Sequence, residues 1–175
     1  MKKVSIFILV TLLVISLCSC GAISRDTEAP GAISQTGDFA TYQISDYTFK
    51  APVSWHYEKI GDEFLKFDSG YVLYELDTDL NETTADDEFI SNFMHLTELC
   101  YKDFELITQP TRVMFSGCNG FTFEFQYTAD DAPAQGKAVV LFDEGGMLTF
   151  TLCDLDIATL HTAEFDALIA SLVRK

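Results

Sequence analysis

The sequence predicts an α+β domain: an antiparallel sheet of about six to seven strands covered by helices. Three observations lead there. Phe121, Phe123, Phe125 and Tyr127 alternate with Thr122, Glu124, Gln126 and Thr128, the two-residue period of a strand with one face buried. Two other stretches, 86–104 and 162–173, repeat apolar residues at helical spacing. The order of strands, helix, strand meander and terminal helix argues a sandwich rather than a doubly wound parallel sheet.

In chain order, Lys2 and Lys3 precede fourteen uncharged residues, Val4 to Leu17, the basic and apolar regions of an export signal. Fourteen helical residues are too few for a hydrocarbon core that needs roughly 20. The run closes on Leu17, Cys18, Ser19, Cys20: an aliphatic residue, a tolerant position, a small residue and a cysteine. This resembles the signal of bacterial lipoproteins, which implies that residues 1–19 are removed and that Cys20 is the lipid attachment site. Cys18 fits less well, because bulky Leu17 would stand where a small residue is needed; Cys18 is itself an unusual occupant of the tolerant position. An ordinary secretory signal cleaved nearby would leave the same domain untethered. A diacylglyceryl group at Cys20 supplies the two chains that stable anchoring needs.

Residues 20–38 are small and polar, contain a short duplicate (Gly21-Ala22-Ile23-Ser24 and Gly31-Ala32-Ile33-Ser34) and show no period, so they read as a flexible tether. Residues 39–175 have the length of a single domain with a real core. Without Lys2 and Lys3, 9 basic side chains face 27 acidic ones, a balance of −18. That charge excludes nucleic acid as a partner and leaves membrane attachment to the lipid on Cys20.

Within the domain, runs 41–50, 63–67 and 71–76 are predicted strands. The first helix carries Phe89, Phe93, Leu96 and Cys100 on one stripe, widened by Ile90, Met94 and Tyr101, with Thr84 or Asp86 to cap it. Residues 137–143 and 147–153 flank Asp-Glu-Gly-Gly as a hairpin, and Phe165, Leu168, Ile169 and Leu172 mark the last helix. Taken together, "YTFKAPVSW", "EFLKF", "VMFSGCNGFTFEFQY" and the closing "FDALIASLVRK" resemble the Mog1/PsbP-like group of small domains. That resemblance implies an α/β/α sandwich, a central antiparallel sheet with helices on both sides, in a family that binds proteins or assists membrane complexes. It carries no catalytic residue onto this chain.

The best chemical constellation is "DTDLNETTADDE", residues 77–88. Asp77, Asp79 and Asn81 take the first, third and fifth places of a calcium loop and Glu88 the twelfth. Glu82 stands where such a loop needs Gly, and Thr84 replaces its apolar eighth residue. The plainer reading is a solvated connection whose acids cap the following helix and complement its dipole. No zinc, nucleophile-elbow or phosphate-loop motif occurs, so no cofactor and no catalytic residue is assigned. His56, His95 and His161 are scattered and read as surface or capping residues. Cys100, Cys118 and Cys153 form no Cys-x-x-Cys, and either one bridge or three buried thiols is compatible with export. The aromatic row 121–127 reads as core rather than a ligand platform, and Trp55 as either a staple of the sheet edge or part of a recognition surface.

The resulting expectation is a lipid-anchored domain on the extracytoplasmic face of the cell membrane. It would bind or assist an unknown surface protein without catalysis. A small-ligand or calcium-binding lipoprotein using residues 77–88, and an uncharacterised enzyme, are the alternatives.

Overall fold

A computed structural model describes residues 31–60, 64–67, 70–75, 86–144, 146–155, 157 and 160–175. Its first feature follows from a change of phase in the sequence. Buried Ala40, Tyr42 and Ile44 occupy even positions, and buried Tyr47, Phe49 and Ala51 odd ones. A two-residue period can switch parity and keep its face only across a turn, and Ser45, at φ 48°, makes it. The run 41–50, predicted as one strand, is therefore a hairpin of β2 (Phe39–Ile44) and β3 (Tyr47–Pro52). On one side β1 (Ser34–Thr36) pairs with β2; on the other β12 (Val173–Arg174) pairs with β3, completing a four-stranded antiparallel sheet. β1 falls inside the stretch assigned to the tether, so the fold includes residues from Gly31 onward.

A second, eight-stranded sheet takes the rest. It comprises β4 (Tyr57–Ile60), β5 (Phe64–Phe67), β6 (Gly70–Glu75), β7 (Lys102–Leu106), β8 (Thr111–Phe115), β9 (Cys118–Ala129), β10 (Ala132–Asp143) and β11 (Gly146–Asp154). The order is β4-β5-β6-β11-β10-β9, with β7 and β8 pairing successive halves of β9. All pairings are antiparallel. The β10–β11 hairpin turns between Asp143 and Gly146, where the Asp-Glu-Gly-Gly run stands. Gly136, opposite Phe125, has no Cβ, which lets that ring lie across the strand.

Two helices complete the described residues. Helix α1 (Asp87–Cys100) starts on a cap in which the Phe89 N–H donates to Asp86 Oδ1 at 2.7 Å. It ends four residues before the predicted Phe104, because Tyr101 is extended and Asp103 takes φ 54°. Helix α2 (Thr162–Ala170) buries Phe165, Leu168 and Ile169 and likewise ends early, releasing Val173 and Arg174 to form β12.

The fold is therefore mainly β, with twelve strands against two helices among the described residues, and not the helix-covered α+β sandwich expected. One face of the large sheet does carry a helix: α1 lays Phe89, Ile90, Phe93 and Met94 on the row Phe121, Phe123, Phe125, Tyr127. The other face meets the small sheet together with α2. Val139, Leu141, Leu148, Phe150 and Leu152 pack there with Tyr42, Phe49, Phe165 and Leu168. The physical reason for the difference is that alternation specifies a strand and its buried face but not the sheet it joins. Residues 39–52 close a sheet of their own and replace a covering helix layer.

Candidate functional site

Registers across the large sheet define its two ends. Tyr57 pairs with Phe67, Phe67 with Gly70, and Gly70 with Leu152, so β4 begins at the end where β11 finishes. Asp154, the last residue of β11, is 3% exposed. Its Oδ2 accepts the backbone N–H of His161 at 2.8 Å, and its Oδ1 lies 2.7 Å from His161 Nδ1. Both carboxyl oxygens are thereby engaged by His161, one by its backbone and one by its ring. The imidazole stands edge-on to Trp55 with ring centroids 6.2 Å apart, and Trp55 in turn packs on Phe67. An oriented histidine backed by a buried carboxylate has the form of a general base. Among the described residues, however, no hydroxyl or thiol hydrogen-bonds Nε2. What the pair does in this structure is clamp the start of α2 to the end of β11. Beside it, Leu155, Ile157 and Leu160 are 45%, 53% and 42% exposed.

The opposite end holds a second buried carboxylate. Asp143, with its side chain 5% exposed, accepts Arg174 Nη2 at 3.0 Å, and the Arg174 N–H donates to Ser116 Oγ. Tyr47 Oη lies 3.0 Å from Cys118 Sγ. Burial first, then hydrogen bonds to Cys118 and Asp143, push the Tyr47 hydroxyl far above its ordinary value, so it stays a neutral group. This cluster ties β12 to β3 and β10.

A third feature is an open groove of about 390 Å³ between α1 and the β7–β8 edge. Ile90, Met94 and Leu106 supply apolar lining, and Gln109 and the ion pair Arg112–Asp87 (2.6 Å) its polar part. Among the described residues its titratable lining, Asp87 and Arg112, is exposed.

Of the residues singled out by sequence, Cys20, Asp77, Asp79 and Asn81 lie outside the described residues. Glu88 is exposed in the first turn of α1 next to Asp87, at the positive end of the helix dipole. Among the described residues no group of three or more His, Cys, Asp or Glu is placed to hold a metal ion. Cys100, Cys118 and Cys153 form no disulfide with one another, and burial raises the Cys100 thiol above its ordinary value. His56 and His95 are exposed, His95 lying 3.8 Å from Glu98 one turn on. Trp55, 9% exposed, is a staple of the sheet edge. The Asp154–His161 pair is the feature sequence reasoning missed: the two residues are seven apart, and no spacing marks them. No helix among the described residues is long and apolar enough to cross a membrane.

No protein-family model matches the chain, and no curated protein matches it. Among solved structures, a protein of unknown function from Pseudomonas aeruginosa, described as a candidate regulator, superposes with a TM-score of 0.52 at 12% identity. The match covers 79% of this chain and 99% of that one. A structure from Bacteroides thetaiotaomicron gives a TM-score of 0.49 at 7% identity, covering 74% of this chain and 45% of the other. The first is a likeness of fold alone and says nothing of activity.

Proposed function

We propose that this chain is a lipid-anchored domain, held through Cys20 on the extracytoplasmic face of the cell membrane, that binds or assists another surface component without catalysis. The observation that carries the reading is Leu17-Cys18-Ser19-Cys20 directly after an uncharged apolar run headed by two lysines. A balance of −18 after removal of that segment fits attachment by acyl chains rather than by a basic patch. The Mog1/PsbP-like resemblance points to the same style of function, although the fold it implied, helices on both faces, is not the one found. Support for binding over turnover comes from the polar-rimmed groove along α1 and from a His–Asp pair used as a structural clamp.

The anchor is tested by the intact mass of mature protein extracted from membranes. The expected product begins at Cys20 and carries a diacylglyceryl thioether; an unmodified N-terminus at Gly21 or beyond overturns the anchor. The binding role is tested by photo-crosslinking from Ser91 and Gln109 in the groove, with one specific membrane component expected from both positions. Hydrolytic turnover abolished by a single polar substitution would overturn the non-catalytic reading.

A further inference from the structure

The groove beside α1 has two walls that run in step. Arg112 of β8 pairs with Phe121 of β9, and Leu106 of β7 with Phe125. α1 follows the same course: Phe89 packs on Phe121, Phe93 on Phe121 and Phe123, and Tyr101, just past the helix end, on Phe125. Asp87, in the first turn, therefore meets Arg112 at one end, at 2.6 Å, while Met94 reaches toward the Leu106 end. Ile90 lies between them on the same stripe, three residues after Asp87 and four before Met94. Seven helical residues give the groove a length of about 10 Å.

The two ends differ in chemistry. At the first, Arg112 is the only base in the lining, and Asp87 engages it. Asp86 and Glu88 flank that pair and are exposed, Asp86 using one oxygen to cap the helix. Three carboxylates against one guanidinium leave this end anionic, even after the partial positive charge of the helix terminus, about half an elementary charge, is counted. A formal balance of −16 over the whole chain adds to that field. At the second end Ile90, Met94 and Leu106 are apolar, and the unbranched thioether of Met94 adapts to what it packs against.

We propose that the groove takes an extended segment of a partner protein in which a Lys or Arg and a large apolar residue stand two positions apart, in either chain direction. This rests on the binding role proposed above and names the chemistry of its partner. An open groove of about 390 Å³ does not enclose the roughly 70–90% of surface that a small ligand buries, whereas a protein segment brings its own cover. Extended backbone advances about 3.3 Å per residue, so three or four residues fill the length. Side chains two apart point the same way and lie about 7 Å from one another, which sets one at the Asp87 end and the other among Ile90, Met94 and Leu106. A basic side chain at the first end meets Asp86 and Glu88; an acidic one would have to take Arg112 from Asp87 against both. Ser91 and Gln109, between the ends, offer hydrogen-bonding groups to the peptide backbone.

The test selects from a random-sequence display library of short linear peptides on the full chain, then titrates the leading sequences as free synthetic peptides. The expected result is enrichment of Lys or Arg two positions from Leu, Ile, Met or Phe. Ser91→Arg, at an exposed residue of the lining, should weaken the selected peptides roughly tenfold with the melting temperature unchanged. If that variant melts lower, Gln109→Arg, exposed on the opposite wall and outside the helix, repeats the block. Asp86→Asn with Glu88→Gln keeps a capping side chain at position 86 and should weaken binding several-fold while flattening its salt dependence. Enrichment of acidic or uncharged sequences overturns the proposal, as does an affinity that neither groove variant changes. An absence of any enriched sequence overturns it as well. The binding role then stands if crosslinking from Ser91 and Gln109 still yields one membrane component, and falls with the proposal if it does not.

Discussion

On one face of the large sheet, Val139, Leu141, Leu148, Phe150 and Leu152 are each at most 2% exposed beneath the small sheet and α2. On the other, Phe121, Phe123 and Phe125 are as deeply buried, but their cover is not: no residue of α1 is buried, and Phe89, Ile90, Phe93 and Met94 are only partly so. The same strands are sealed by a sheet and a helix together on one side and by a single helix with one working stripe on the other. A short helix draws its stability from the face it packs, so a cover that buries none of its own side chains fully is the part of the fold that opens first. The groove that supports a binding role runs along this looser side, where adjustment to a partner costs least.

The largest expected effect tests that contrast directly. Phe150→Ala empties a site at 0% exposure wedged against Phe49 and should cost about 3–5 kcal/mol. Phe93→Ala removes a ring that solvent already reaches and should cost about 1–2 kcal/mol. Urea unfolding of the two variants checks the difference, and equal costs would mean that α1 is as tightly integrated as the sealed face. Next comes the clamp. Asp154→Ala leaves the His161 N–H and imidazole without their acceptor at a half-buried position, an expected loss of about 1–2 kcal/mol. Hydrogen exchange should then rise selectively at the start of α2, and an unchanged α2 would show that packing alone holds it.

A smaller effect is expected on the looser face. Asp86→Ala removes the cap that accepts the Phe89 N–H and should cost about 1 kcal/mol. Its signature is local: faster exchange in the first turn of α1 with β10 and β11 unchanged. If the core strands exchange faster as well, α1 and the sheet open as one unit and the two faces are not separable.

The same contrast explains which parts were legible in the sequence. The α1 face is written in two clean periods, Phe89-Phe93-Leu96 at helical spacing and Phe121 to Tyr127 at strand spacing, and each needs only its own neighbours to be read. The sealed face depends on pairings between distant segments. The parity switch between Ile44 and Tyr47 marks a turn, yet nothing local says that the hairpin lies over β10 and β11 rather than beside them. β12 has two residues, Val173 and Arg174, too few for any period, and it exists because Thr48 and Tyr47 offer an edge 125 or more residues earlier. The site residues follow the same rule. Asp154 with His161, and Asp143 with Arg174, are joined by the ends of strands, and sequence spacing carries no trace of them. Capping at Asp86 was legible because a cap and its helix are contiguous.

The smallest expected effect concerns the rim of the sealed face, where Lys137 of β10 bridges Asp166 of α2 at 2.8 Å and Glu124 of β9 at 3.3 Å. Burial pulls this ammonium's pKa down, but hydrogen bonds and charge from Asp166 and Glu124 outweigh it and hold the group above the ordinary lysine value of 10.5. A folded-state pKa raised above the unfolded one means that the triad's contribution is complete below about pH 10.5 and is lost as pH rises through the folded value. Buried Tyr42, Tyr47 and Tyr57, also raised chiefly by burial, lose stability over an overlapping alkaline range with the same sign. They are common to wild type and Lys137→Met, so the difference between the two stability curves isolates the lysine. That difference should be flat at about 1 kcal/mol or less up to pH 10 and shrink above it. A difference that stays constant through the alkaline range would mean that Lys137 contributes through its packed methylene stem and that α2 is held to the sheet by apolar contact and the Asp154 clamp alone.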